Sequence, residues 1–144
     1  MGALGNPGAS LRGWRAYFAN AEIFGADIDA NILFRDDRIQ TFWVDQRDPE
    51  SIQALWKLVG EITFDIMIDD GLHEGWANIC FLKGSFSRLK SGGIYIIEDV
   101  VPQDEEQIIS FVKSMSAITK GVVCEVLQHP VNKADNRLVI IQKK

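Results

Sequence analysis

The densest group of chemically capable side chains is Asp69-Asp70-Gly71-Leu72-His73, with a second acidic pair, Glu98-Asp99, downstream. Carboxylates are hard oxygen ligands. Magnesium and calcium prefer them, and magnesium typically keeps several waters or substrate oxygens besides. Asp70, Glu98 and Asp99 are therefore candidate metal ligands. His73 stands three residues past Asp70. A neutral imidazole there is placed to take a proton from a hydroxyl that a metal has polarised. The plainer alternative is that His73 caps the following helix or bonds locally. The neighbouring acids favour the chemical reading, with His73 as a general base.

Two further acids, Asp27 and Asp45, also close predicted strands. In open α/β sheets, ligands bind outside the carboxyl ends of the strands. Acids at four strand ends would converge on one crevice. Asp is common just after strands for turn reasons alone, which weakens the argument for any one of them more than for all four together. Asp27 is placed to accept hydrogen bonds from ribose hydroxyls, and Asp45 to contact an adenine edge or its neighbouring loop. Gly5 and Gly8 precede a predicted helix and leave room for backbone to approach a ligand. Gly5-Asn6-Pro7-Gly8 is a poor match to G-x-G-x-x-G, and an ordinary N-terminal tail is the alternative. His129, before Pro130, reads as structural or solvated, and the four tryptophans as packing.

Positioning these groups requires alternating strands and helices. Helices are predicted over 9–20 (Ser10 as N-cap, Asn20 as stop), 49–59, 74–89 and 103–115. Asp48, Pro49 and Gly60 give the second of these a clear start and stop. Strands are predicted over 22–28, 39–44, 63–68 and 94–97, with a turn at Ser91-Gly92-Gly93. The near-continuous apolar run 63–68 predicts a central strand buried on both faces. Strands over 122–127 and 137–142, joined by a polar loop with Asn132, Asp135 and Asn136, form an antiparallel hairpin at one sheet edge. This order opens on a helix where an α/β unit usually opens on a strand, so the expectation is a single domain lacking its first strand and truncated at the N-terminus.

The chain has 144 residues, 47% hydrophobic and 24% charged, with a formal net charge of −5. That is an ordinary globular balance for one domain. The charge supplies no basic footprint for nucleic acid and suits a small molecule or a cation. No apolar run approaches the roughly 20 residues of a membrane span, and no signal peptide is evident. A cytoplasmic protein is the default expectation. Cys80 and Cys124 read as small buried hydrophobes in a reducing compartment.

The run Phe64-Asp65-Ile66-Met67-Ile68-Asp69-Asp70-Gly71-Leu72-His73, followed by Gly92-Gly93-Ile94-Tyr95-Ile96-Ile97-Glu98-Asp99, resembles the metal-dependent sugar O-methyltransferases that act on macrolide antibiotics. It is also similar to rhamnosyl O-methyltransferase and cephalosporin hydroxylase-type proteins. Ser10 to Trp14, Ile23 to Asp29 and Val44-Asp45-Gln46 look like further parts of that pattern. The resemblance implies a Rossmann-like, class I methyltransferase three-layer sandwich with a mostly parallel sheet. It implies S-adenosylmethionine and magnesium as cofactors, and a small-molecule acceptor with a sugar-like hydroxyl. By that resemblance Asp70, Glu98 and Asp99 hold magnesium, His73 is the base, and Asp27 holds the cofactor ribose. Gly5, Gly8, Asp45 and Asp69 complete the candidate cofactor contacts. Leu72 stands where the family usually has a small hydroxyl residue. The family's first strand would precede Gly5. Without it, exposed strand edges invite pairing with a second copy, and the alternative reading is an inactive binding or oligomerising module.

Overall fold

The computed structural model describes residues 6–118, 122–128, 130–131 and 136–144. Gly5, His129, Asn132, Asp135 and the side chain of Cys124 lie outside the described residues. The chain divides into two compact units, Met1–Asp45 and Gln46–Lys144.

In the first unit, helix α1 (Ala9–Tyr17) is capped by Gly8 rather than by Ser10. Gly8 has φ 76, a left-handed conformation open to glycine at little cost. It is buried, and a Cβ there would overlap the Phe34 ring. The helix stops three residues before Asn20, where the Phe18 N–H donates to the Trp14 carbonyl at 2.9 Å. Strands β1 (Ile23–Asp27) and β3 (Ile39–Trp43) pair in parallel from Ile23↔Ile39 to Asp27↔Trp43. The Val44 N–H donates to the Asp27 carbonyl at 3.0 Å, so Asp27 and Asp45 leave the same end of this sheet. A two-residue strand, β2 (Arg35–Asp36), adds antiparallel to β3. It is too short for periodicity to reveal. It is tied to α1 by Arg15, whose guanidinium lies 3.1 Å from the Asp36 carboxylate.

In the second unit, α2 (Pro49–Val59) has the predicted bounds. The Asp48 carboxylate accepts from the Glu50 N–H at 2.9 Å, Pro49 opens the helix, and Gly60 follows it. Ile52, Leu55, Trp56 and Val59 form its buried stripe. The Trp56 ring meets those of Phe64 and Phe81, with centroids 5.8 and 6.3 Å away. Helix α3 (Gly75–Ser85) is shorter than predicted. It ends in a single 3-10 turn, Phe86–Arg88, because Leu89 already belongs to a strand. That strand, β5 (Leu89–Val100), absorbs the predicted turn. Phe64↔Leu89 is followed by Ile66↔Ile94, so residues 90–93 bulge out of the ladder. Helix α4 (Pro102–Ile118) outlasts its predicted end.

The sheet of this unit runs β4-β5-β7-β6, with β4 (Phe64–Asp69) parallel to β5. Strands β6 (Val122–Gln128) and β7 (Arg137–Lys143) form the predicted antiparallel hairpin, with β6 at the edge. The expectation of a central β4 does not hold in this sheet. Among the described residues β4 pairs on one side only, and Ile66 is 43% exposed. The core lies around Tyr95, Ile97, Ile108, Val112, Val139 and Ile141, all fully buried. Cys80 is half-buried rather than enclosed. No helix among the described residues is long and apolar enough to cross a membrane.

Candidate active site

Parallel pairing of β4 with β5 fixes the site. Asp69 lies opposite Ile97, so Asp70 and the Glu98-Asp99 pair emerge side by side at one end of the sheet. Opposite β7, β5 carries two residues, Glu98 and Asp99, against the single Leu138 between the pairs Ile97↔Val139 and Val100↔Arg137, which makes Glu98-Asp99 part of a β-bulge. Bulges re-aim side chains and recur beside active sites. Asp99 takes φ 52 there, and His73 takes φ 57 in the loop after β4. Left-handed backbone costs a residue with a Cβ about 1–3 kcal/mol and persists only where the surroundings enforce it.

These two residues and Asp70 come together. Asp70, His73 and Asp99 each offer a ligand atom, all within 4.8 Å of one another. His73 Nε2 lies 3.7 Å from Asp70 Oδ1. His73 Nδ1 is buried and has no hydrogen-bond partner among the described residues. Glu98 stands beside this trio rather than within it. Burial raises the Glu98 carboxyl pKa, the negative charges of Asp70 and Asp99 raise it further, and His73 opposes them. An excess of negative charge is thus concentrated where a cation would relieve it.

Asp69 faces the other way. It is 5% exposed and accepts from Asn78 Nδ2 at 3.0 Å and from Gln46 Nε2 at 3.3 Å. Burial raises its pKa, and those two bonds pull it back. Its carboxylate is committed to an internal network. Gln46 also accepts the Leu72 N–H at 2.8 Å, and Asp104 accepts the Gly75 N–H at 3.0 Å. Sequence reasoning assigned no role to Asn78, Asp104 or Tyr95. A readable signal existed for Asn78, an amide set between Ala77 and Ile79 in a mostly apolar helix. The Tyr95 hydroxyl is fully buried without a partner among the described residues, and burial drives its pKa well up.

The remaining candidates belong to the first unit. Asp27 Oδ1 accepts the Asp29 N–H at 2.9 Å in a local turn, and its other oxygen makes no bond among the described residues. Asp45 is half-buried. Gly8 is already required by its φ and by the Phe34 ring, so its presence needs no ligand.

No protein-family model matches the chain. It is 39% identical over 93 residues to the 8-demethyl-8-alpha-L-rhamnosyl tetracenomycin-C 2'-O-methyltransferase of Streptomyces olivaceus, a match covering 65% of this chain and 24% of that protein. It is 36% identical over 93 residues to the mycinamicin VI 2''-O-methyltransferase of Micromonospora griseorubida, covering 65% of this chain and 23% of that protein. The chain thus spans about a quarter of the length of the curated relatives it matches. Among solved structures, it superposes on the MycE methyltransferase of the mycinamycin pathway, in complex with Mg, SAH and mycinamycin VI. The TM-score is 0.72 at 24% identity, over 99% of this chain and 42% of that one. The chain therefore has the α/β fold of the class I methyltransferases and is related, over part of its length, to the macrolide and rhamnosyl sugar O-methyltransferases.

Proposed function

We propose that this chain carries the metal-binding and proton-accepting part of a magnesium-assisted, S-adenosylmethionine-dependent O-methyltransferase acting on a sugar-like hydroxyl. The observation that carries this reading is the Asp70–His73–Asp99 cluster, built on two left-handed residues at adjacent strand ends. The names of its relatives, all sugar or macrolide O-methyltransferases, support it.

The residues fit a hard divalent ion. Asp70 and Asp99 supply oxygens within one small cluster, and Glu98 adds a third carboxylate whose pKa is raised partly by their charge. When bound, magnesium would polarise the acceptor hydroxyl, and S-adenosylmethionine would supply the methyl group. His73 accepts the hydroxyl proton, and Nε2 is the nitrogen next to Asp70. Asp69 holds the β4 end in place from behind. Asp27 has a carboxylate oxygen to offer ribose hydroxyls. Asp45 and the Gly8 end of α1 are the other cofactor-side residues of this reading.

Calorimetry with S-adenosylmethionine, with and without magnesium, tests it. Heat of binding that appears or strengthens with magnesium is expected. Absence of binding under both conditions would sink the proposal for this chain. A second reading rests on β1 and β4, each pairing on one side only among the described residues. Unpaired edges are templates for another strand, and the chain would then act as an oligomerising module without catalysis. Light scattering decides that point, since a clean monomer excludes edge pairing.

A further inference from the structure

His73 sits in a loop that is anchored on both sides of it, and neither anchor is a metal ligand. On the near side, Gln46 Oε1 accepts the Leu72 N–H at 2.8 Å while Gln46 Nε2 donates to Asp69 Oδ1 at 3.3 Å. One amide thus bridges the end of β4 to the loop two residues beyond Asp70. Gly71 is shaped to this bridge, because a Cβ at that position would overlap Gln46 Oε1. On the far side, Asp104 Oδ2 accepts the Gly75 N–H at 3.0 Å, and Gln107 Nε2 steadies Asp104 Oδ1 at 2.7 Å. Gln46 lies just before α2 and Asp104 in the first turn of α4, so separate elements grip the two ends. Between them His73 holds φ 57. A left-handed histidine persists only where its neighbours over-determine it.

We propose that Gln46 is a positioning residue, with Asp104 as its counterpart, that holds the 70–75 loop so that the His73 imidazole faces Asp70 and Asp99. The activity arm of this inference rests on the reading of His73 as the base; the conformational arm does not. Gln46 is not part of the Asp70–His73–Asp99 cluster. It acts through the Leu72 amide and through Asp69.

The test uses the full chain and begins with the unaltered protein. Leu72 is 41% exposed in a loop, yet its N–H is bonded. Its amide hydrogen should exchange at least about tenfold slower than an unstructured loop amide. Exchange at the unstructured rate would overturn the clamp without any variant. Gln46→Ala removes both bonds, whereas Gln46→Glu keeps an acceptor for Leu72. In Gln46→Ala, the amide-to-Hα coupling and imidazole resonances of His73 should move away from their original values. Magnesium or manganese affinity should fall about tenfold, as for other residues that orient ligands from behind. In Gln46→Glu, the His73 coupling should be retained. In a methyl-transfer assay, Gln46→Ala should lower kcat and leave KM for the acceptor within about twofold, because an interaction realised in the transition state is lost. Gln53→Ala, on the exposed side of α2, serves as the control. If Gln46→Ala only lowers the melting temperature and leaves the His73 signals unchanged, the residue is merely structural and the proposal fails. Should the unaltered chain bind no metal and transfer no methyl group, the functional reading fails, while the His73 coupling and Leu72 exchange still decide the clamp. If Gln46→Ala does not fold, the exchange measurement decides alone.

Discussion

Replacing Asn78 by alanine should destabilise the second unit by an amount the structure lets us work out. Asn78 is 2% exposed, and its Nδ2 donates to Asp69 Oδ2 at 3.0 Å. A hydrogen bond to a charged acceptor contributes about 1.5–3 kcal/mol. Removing it leaves the Asp69 carboxylate buried, with Gln46 Nε2 as its remaining side-chain donor. Alanine returns about 0.5 kcal/mol of helix propensity inside α3. The net loss is about 1–2.5 kcal/mol, which for a chain of this length lowers Tm by about 4–10 °C. The loss should also depend on pH. Burial raises the Asp69 pKa, and the Asn78 bond opposes that rise. A carboxyl whose folded pKa lies above its unfolded value loses stability as pH climbs from the unfolded pKa through the folded one. Without Asn78 the folded pKa moves higher still, so the variant should lose more at about pH 7 than at about pH 4. Urea unfolding followed by tryptophan fluorescence, with a chelator present, measures both. A loss below about 0.5 kcal/mol at neutral pH, within the range of an ordinary surface change, would refute the role given to this bond.

His73→Ala should abolish methyl transfer while leaving magnesium affinity within a few-fold, and activity surviving within a few-fold would remove His73 as base. Asp70→Asn should weaken magnesium at least about tenfold by calorimetry, and unchanged affinity would count against the metal site. Gly71→Ala should cost about 1–3 kcal/mol, because its methyl group must displace Gln46 from the Leu72 amide; a variant as stable as the parent would show that the loop yields freely. Asp27→Ala should weaken S-adenosylmethionine and leave magnesium binding unchanged, and equal losses of both would contradict the assignment of Asp27 to the cofactor alone.

The carboxylates and the histidine were legible because residue type carries their chemistry and strand ends carry their position. Asp70, His73 and Asp99 do assemble at adjacent ends of a parallel pair. The bounds of α2 were legible because Asp48, Pro49 and Gly60 are local signals. What could not be read was convergence. Gln46, Asn78 and Asp104 come from three separate stretches, and only tertiary packing directs them onto Asp69 and the 70–75 loop. The edge position of β4 was hidden for a different reason. Its apolar run is what a two-sided strand needs, and composition does not report how many neighbours a strand has. Ser91-Gly92-Gly93 carried turn chemistry correctly, but the chain uses it as a bulge within one long strand. Gly8 also has a structural reason that its sequence context did not carry, a left-handed φ beside the Phe34 ring.

The two strained residues bear on what organises the candidate cluster at Asp70, His73 and Asp99. His73 and Asp99 are left-handed for independent reasons, one in a loop gripped by side chains and one in a bulge opposite β7. Neither device involves a residue before Gln46. Every candidate metal ligand, the candidate base and each of their supports lie within 46–144, whereas Gly8, Asp27 and Asp45 lie within the other unit. Strain that survives folding reflects geometry fixed in advance of any ligand. The candidate metal-and-base cluster should therefore be preorganised within residues 46–144, and its affinity for a cation should be governed by Gln46, Asn78 and Asp104. Local chemistry and local strain coincide at these positions, and that coincidence is the strongest physical reason for placing function there.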